Sequence, residues 1–480
     1  MTDNLRSKTT NAFGWALGGQ LSNQLISFII SLILARLLTP EEFGLASLVL
    51  VANLIGQVFL DAGISAGLIR KLEVSGTELS SFFYLNVILG VCIMSIVFFG
   101  SRFIAGIFEN PHMDNLIRLS SLQFFISSFG LMPSVLLRRN LDFKYLSKLS
   151  IWVNLISGLV CIVLAIIGLG VYSLILRSIL SGLLTVVFSW RKTRWLPLLT
   201  FSIESLRDTF KYSLGIFGLN LINSISNNFS TVLIGKYFSV SVLGYYNRAN
   251  NTRGLILKNF GPLFNKVLFP VLSKIQDEEE RLKSYYIMAI QMVSLLAVYF
   301  MGILYLFAEP LIFYLFGPEW IESAPILKIL SLAGVILPIS NINLNLFMVK
   351  GRSRFLMRYE TIKHILTALV MYISIQGGMT IFLYSLVGIA YLFFLSKIVL
   401  TYWIFGFSLK AQLLAVFTKL LPGIILVLVL SSCLLPNQID ILDLIGYGVI
   451  FSLSYFSLAY LLDQKLFLTI KDLLSSQLNR

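Results

Sequence analysis

The stretch Gln20-Leu21-Ser22-Asn23-Gln24-Leu25-Ile26-Ser27-Phe28-Ile29-Ile30-Ser31-Leu32-Ile33-Leu34-Ala35-Arg36 has a counterpart 200 residues on. It is Asn220-Leu221-Ile222-Asn223-Ser224-Ile225-Ser226-Asn227-Asn228-Phe229-Ser230-Thr231-Val232-Leu233-Ile234-Gly235-Lys236. Gln20, Asn23, Gln24, Ser27 and Ser31 are polar, and so are Asn220, Asn223, Ser224, Asn227 and Thr231. At about 100° per residue each set falls on one narrow helix face. Each also sits inside a segment long and apolar enough to cross a bilayer. Lipid offers a polar face no partners, so such a face turns to protein or to a water-filled cavity. Two such faces at equivalent places predict one cavity lined by both. Residues 20–31 hold six polar positions and 220–231 hold eight, so chance alone gives four coincidences where five occur. The register therefore rests equally on the ungapped continuation to Arg36 and Lys236, and on Gly44 meeting Gly244.

Working outward, the composition fixes the class. Hydrophobic residues make up 57% of the 480 and charged residues 12%, against about a quarter charged in soluble domains. Apolar stretches of about 20 residues predict fourteen spans, the first at 11–34 and the last at 443–462. The fold expected is an all-α polytopic membrane protein. Pro40 follows the first span with no small-residue cleavage site, so that span is not a removable leader.

With the N-terminus inside, the inner loops and tails hold 25 Lys and Arg residues and the outer loops hold three, Arg36, Arg102 and Lys236. The positive-inside rule then sets both termini in the cytoplasm. The net charge of +14 is spread over many loops, which excludes a nucleic-acid footprint and fits contact with membrane lipids. Three cysteines in or beside spans and two histidines argue against a disulfide framework and a metal site.

The copy lies in the seventh span, six on from the first, so both halves enter the membrane in the same direction. Such a parallel repeat is related by an axis along the membrane normal. A second echo, Ile117-Arg118-Leu119-Ser120-Ser121-Leu122 against Leu327-Lys328-Ile329-Leu330-Ser331-Leu332, is followed each time by a proline, Pro133 and Pro338. We therefore read residues 1–200 as an N-terminal lobe of six spans and 201–403 as a second lobe of six. Residues 404–480 add two further spans and a tail. The longest inner connection, 190–208, reads as the linker between lobes. No loop has room for a soluble catalytic domain, no catalytic residue is nominated, and an enzyme is not expected.

Charges at membrane depth are costly and usually face a cavity. Lys397 and Lys419, near inner helix ends, are expected to snorkel to the interface. The eighth span opens Leu243-Gly244-Tyr245-Tyr246-Asn247-Arg248-Ala249-Asn250-Asn251-Thr252-Arg253-Gly254, too polar for a lipid-facing helix. Asn247, Asn251 and Lys258 share a stripe, with Arg248 beside it. Arg253 lies about 140° from Arg248 and is free to pair with another helix. Gly261-Pro262 predicts a kink. Arg177, two turns into the sixth span, is the cavity cation expected of the first lobe.

A cavity rich in Arg and Lys suits an anion such as pyrophosphate, held by Arg177, Arg248, Lys258 and Arg253. Gln20, Asn23, Gln24, Ser27, Asn220, Asn223, Asn227, Asn247 and Asn251 suit sugar hydroxyls. Asp61 is either an ion-coupling site or a structural partner of an arginine near the inner end of its span. The bland alternative for the eighth span is an interhelical hydrogen-bonding seam with no ligand.

The chain now resembles a known family. Phe13-Gly14-Trp15 entering the first span and Leu34-Ala35-Arg36-Leu37-Leu38-Thr39-Pro40-Glu41-Glu42-Phe43-Gly44 after it carry the likeness. So does Leu243-Gly244-Tyr245-Tyr246-Asn247-Arg248-Ala249. They are similar to the polysaccharide transporter family, the Wzx-type lipid-linked oligosaccharide flippases of the multidrug/oligosaccharidyl-lipid/polysaccharide exporter superfamily. The resemblance implies a bacterial inner-membrane protein. It would move undecaprenyl-pyrophosphate-linked sugar units between leaflets for O-antigen, capsule or exopolysaccharide assembly, beside other assembly proteins. It also implies alternating access and coupling to a proton or sodium gradient, with no cofactor, and Arg248 is the residue carried over. One alternative is a multidrug antiporter of the same fold, but cationic drugs call for acids, which are scarce here. The other is a membrane polymerase or ligase, which calls for a large outer loop.

Overall fold

A computed structural model describes residues 2–433, 440–464 and 466–468. Among these residues sixteen α-helices run in chain order. They are α1 (Thr2–Leu37), α2 (Pro40–Asp61), α3 (Ile64–Arg70), α4 (Gly76–Ile107), α5 (His112–Arg139), α6 (Phe143–Ile166), α7 (Val171–Thr193) and α8 (Ile203–Tyr237). Then follow α9 (Val240–Lys274), α10 (Glu279–Leu306), α11 (Ala308–Phe316), α12 (Ser323–Val349), α13 (Ser353–Ser374), α14 (Met379–Phe405), α15 (Leu409–Cys433) and α16 (Ile441–Leu462). No strand occurs among the described residues. All but α3 and α11 are at least 22 residues long, and these fourteen long helices coincide with the fourteen expected spans.

Eleven of them are apolar enough to cross a membrane by composition. The three outside that set are α8 with its asparagines, α9 with its Asn- and Arg-rich start, and α13 with Arg354, Arg358, Glu360 and Lys363.

The repeat reappears as backbone geometry. α1 ends at Leu37 and α2 begins at Pro40; α8 ends at Tyr237 and α9 begins at Val240. Leu38 N–H donates to Leu34 O and Phe238 N–H to Ile234 O, both at 2.9 Å; Phe43 N–H donates to Thr39 O and Leu243 N–H to Ser239 O, both at 3.2 Å. The caps match as well. Thr39 Oγ1 accepts from Glu42 N–H at 3.3 Å while Glu42 reaches back to Thr39 N–H at 2.8 Å, a capping box with Pro40 in the first helical position. Ser239 Oγ accepts from Val242 N–H at 3.3 Å.

The chain forms two compact units, residues 1–244 and 245–480. In the first, α4 packs on α5, α5 and α6 on α7, and α1 on α6. α8, which the repeat groups with the second half, packs here on α2, α3 and α4. The α1–α6 seam is built from Ile30, Leu34 and Leu38 against Cys161 and Ala165. Gly158 admits the closest approach, since a Cβ there would stand 2.9 Å from Ile30 Cγ1. The segment between α7 and α8 is held down on α4: Leu198 N–H donates to Ser80 Oγ at 2.8 Å and Ser202 N–H to Ser81 Oγ at 2.9 Å.

In the second unit α10 packs on α12 and α15, α12 on α14, and α13 on α14. Pro133 and Pro338 lie inside α5 and α12. A buried polar seam ties α15 in: the single O–H of Tyr286 lies within hydrogen-bonding reach of both Asn343 Oδ1 and, at 3.0 Å, Gln412 Oε1. Tyr455 O–H on α16 donates to Leu295 O at 3.0 Å.

Lys397 and Lys419 do not snorkel. Lys397 is 3% exposed, and its Nζ lies 3.0 Å from Glu360 Oε1 and donates to Ser340 Oγ at 3.1 Å. Lys419 is wholly buried, 2.7 Å from Asp463 Oδ2, which also accepts from Gln291 Nε2 at 2.9 Å. Both ammonium groups found carboxylates on neighbouring helices or helix ends, and an ion pair inside the bundle replaces the hydration that snorkelling would supply.

Candidate functional site

The first unit gathers part of the nominated set into one network. Asp142 caps the start of α6 by accepting from Tyr145 N–H at 3.2 Å, and the apolar α1–α6 seam sets the facing register. That register brings Asn154 of α6 between α1 and α7. Its Nδ2 donates to Asn23 Oδ1 and to Ser27 Oγ, both at 2.7 Å, and lies 3.1 Å from Asn23 O. Asn23 Nδ2 in turn donates to Ser150 Oγ at 3.0 Å. On the other side Arg177 Nη2 donates to Asn154 Oδ1 at 2.9 Å. A half-buried guanidinium is thus oriented by a neutral amide, which leaves its charge uncompensated by that partner.

The two repeat-related polar faces have different surroundings. Asn23 and Ser27 of α1 are engaged with α6, Gln24 is half-buried and Gln20 is exposed. On α8, Asn220, Asn223 and Asn227 are all exposed. The same residue pattern thus serves as a packed seam in one copy and an open polar face in the other.

In the second unit Arg248 is 6% exposed, with its guanidinium carbon 4.6 Å from the Phe316 ring centroid and 4.3 Å from that of Trp320. Those rings belong to α11 and the 3-10 turn Pro318–Trp320 after it. The contact fastens the start of α9 to that segment. Arg253 donates to Leu330 O on α12 at 3.2 Å and to Asn250 Oδ1 at 2.7 Å, so it does bridge to another helix. Asn247 is half-buried and Asn251 exposed. α9 continues in helical conformation through Pro262 to Lys274. The side chain of Lys258 lies outside the described residues.

Asp61 sits where α2 breaks. Ala62 and Gly63 take φ of 44° and 73°, a left-handed turn in which Asp61 Oδ1 accepts from Ser65 N–H of α3 at 3.3 Å. The carboxylate therefore takes up one of the free backbone amides at the start of α3, a backbone partner rather than an arginine.

Residues 33–325, about three-fifths of the chain, match the model of the family described as polysaccharide biosynthesis protein. The chain belongs to that family. The chain is similar to the teichuronic acid biosynthesis protein TuaB of Bacillus subtilis (strain 168), 23% identical over 434 residues, covering 89% of this chain and 86% of TuaB. It is also similar to the succinoglycan biosynthesis transport protein ExoT of Rhizobium meliloti (strain 1021). There the identity is 25% over 342 residues, covering 71% of this chain and 69% of ExoT. Among solved structures it resembles the lipid II flippase MurJ in an inward closed conformation. The TM-score is 0.77 at 14% identity, over 94% of this chain and 99% of MurJ; at that identity the likeness is one of fold.

For a polysaccharide biosynthesis protein of this fold, the residue that sequence reading missed is Asn154. Its signal was available in principle: an asparagine in the middle of an apolar span is costly unless it faces another polar group. Nothing in the one-dimensional pattern says that its partners are Asn23, Ser27 and Arg177. Asn53, 3% exposed on α2, was missed for the same reason; it donates to Gln123 Oε1 on α5 at 3.3 Å, and Gln57 donates to Ser127 Oγ at 3.1 Å.

Proposed function

We propose that this protein is a flippase. It would translocate undecaprenyl-pyrophosphate-linked oligosaccharide units across the bacterial inner membrane by alternating access, for surface polysaccharide assembly. The observation that carries the reading is Arg177, a cation at membrane depth held by an amide within a network of amide and hydroxyl groups. A guanidinium so oriented presents its remaining donors to a phosphate oxygen, and charge-assisted bonds of this kind are roughly twice as strong as neutral ones. The exposed asparagines of α8 supply many weak, replaceable contacts of the sort sugar hydroxyls make. A polar helix face of this kind is stable in a bilayer only against water or protein, which supports a hydrated path for the sugars while the prenyl tail stays in lipid.

Arg248 and Arg253 have protein partners of their own, so in this proposal they act on the pyrophosphate through donors not engaged by those partners. Both termini are assigned to the cytoplasm, and a proton or sodium gradient is the proposed source of energy. The engagement of Asp61 with Ser65 favours its structural role over ion coupling. Deletion of the gene tests the function. Lipid-linked oligosaccharide should accumulate on the cytoplasmic leaflet and surface polysaccharide should disappear, both restored by the wild-type gene and not by Arg177→Ala. Unchanged surface polysaccharide in the deletion strain would overturn the reading.

A further inference from the structure

Gly44 and Gly244 stand 200 residues apart at the fourth position after Pro40 and Val240, the first residues of α2 and α9. Their surroundings are reciprocal. A Cβ built on Gly44 would overlap the carbonyl oxygen of Val240 and lie 2.9 Å from its carbonyl carbon. A Cβ built on Gly244 would overlap the carbonyl oxygen of Pro40 and lie 2.7 Å from its carbonyl carbon. Each glycine is thus seated on the carbonyl that opens the other's helix. That is the signature of a contact on a two-fold axis, in which i meets j and the copy of j meets the copy of i. The matched helix ends, caps and hydrogen bonds around residues 34–43 and 234–243 give the two segments one local geometry. One turn deeper, Gly235 packs on Leu48, whose Cδ1 would lie 3.1 Å from a Cβ at that glycine.

We propose that Gly44 and Gly244 form the outer closure of the translocation path, a backbone-on-backbone seal that parts when the protein opens to the outside. On the orientation read from the basic loops, the starts of α2 and α9 lie at the outer face. In a parallel-repeat transporter, access changes by rocking of one repeat against the other around the central site. A contact between the repeats near the outer face must therefore part when the path opens there and re-form when it closes. Two glycines suit this: backbone surfaces meet without interlocking side chains, so the seal closes tightly and separates without rotamer rearrangement. Flanking caps on Thr39 and Ser239 keep both helix starts rigid while they move.

The test uses the full chain with its three native cysteines replaced by alanine and a reporter thiol, Leu48→Cys, just beneath the seal. Leu48 is 3% exposed, so a membrane-impermeant maleimide applied from outside should label the reporter slowly. Gly44→Ala and Gly244→Ala should each raise that labelling rate about tenfold, because an inserted methyl disfavours the closed packing. Gly100→Ala in α4, where nothing lies within 4 Å of an added Cβ, should leave it unchanged. No acceleration by either alanine, or acceleration by only one, would overturn the reciprocal seal.

Should the alanine variants fail to fold, Pro40→Cys/Val240→Cys bridged by a short bis-methanethiosulfonate, which forms two reducible disulfides as methanesulfinate leaves, replaces them. Export should stop on bridging and resume on reduction, and export through the bridged protein would overturn the proposal. Labelling needs no substrate, and unbridged export tests the flippase reading separately.

Discussion

Replacing Asn154 by aspartate is the sharpest test of the network around Arg177. The change is isosteric, yet it turns the neutral acceptor 2.9 Å from Arg177 Nη2 into a carboxylate. Two unit charges about 4 Å apart attract by about 4 kcal/mol at an effective dielectric of 20. Because Arg177 is half-exposed, water screens part of this, and about 2 kcal/mol is a working minimum. An anionic ligand must displace that internal pair, so its affinity should fall about 30-fold at least and about 1,000-fold at most.

Stability should change little. The two donors lost toward Asn23 Oδ1 and Ser27 Oγ each cost about 0.5–1.5 kcal/mol. The new ion pair, and rotation of the Asn23 amide to donate to the carboxylate, offset them. Asn154→Leu should behave in the opposite way: Asn23 and Arg177 lose a buried partner and the melting temperature drops, while Arg177 keeps its charge. Binding of undecaprenyl pyrophosphate to detergent-purified protein, followed by microscale thermophoresis beside thermal melting, separates the two. If Asn154→Asp binds within threefold of the parent, Arg177 is not the phosphate anchor.

Lys419→Met leaves the Asp463 carboxylate against Gln291 and the Leu466 amide alone, and breaking such a pair should cost about 3–5 kcal/mol. The double variant Lys419→Met/Asp463→Leu should recover most of that loss in a melting experiment, and equal losses in both would refute the buried pair. Arg248→Lys keeps the charge but loses the planar group beside Phe316 and Trp320, so stability should fall by about 1–3 kcal/mol, measured by melting. Arg248→Ala should abolish export with membrane insertion intact; normal export would remove Arg248 from the site. Asn220→Ala/Asn223→Ala/Asn227→Ala changes exposed positions, so stability should shift by no more than about 0.5 kcal/mol per site while polysaccharide export slows. Unimpaired export would take the α8 face out of the path.

The long helices were legible because a bilayer imposes a single length and polarity rule on every span. Even α8, α9 and α13, whose polar residues weaken the apolar signal, coincide with expected spans. Arg177 was legible as a cation at membrane depth, and Arg253 as a residue turned away from Arg248. The fates of Lys397 and Lys419 were not. Distance to a helix end can be counted along the chain, but whether Glu360 or Asp463 arrives within 3 Å depends on how separate helices pack.

The repeated polar face marks the same division. Spacing by itself determined that residues 20–36 and 220–236 follow one residue pattern and that each is helical with one polar side, because helix periodicity and membrane insertion act on the local chain. Only the tertiary structure decided that Asn23 and Ser27 close against Asn154 while Asn220, Asn223 and Asn227 stay open. It also decided that Gly44 and Gly244 sit on each other's opening carbonyls. A periodic pattern states which way a face points around its own helix. What that face meets is set by the neighbours that side-chain volumes and hydrogen-bond pairing select, and those lie more than a hundred residues away.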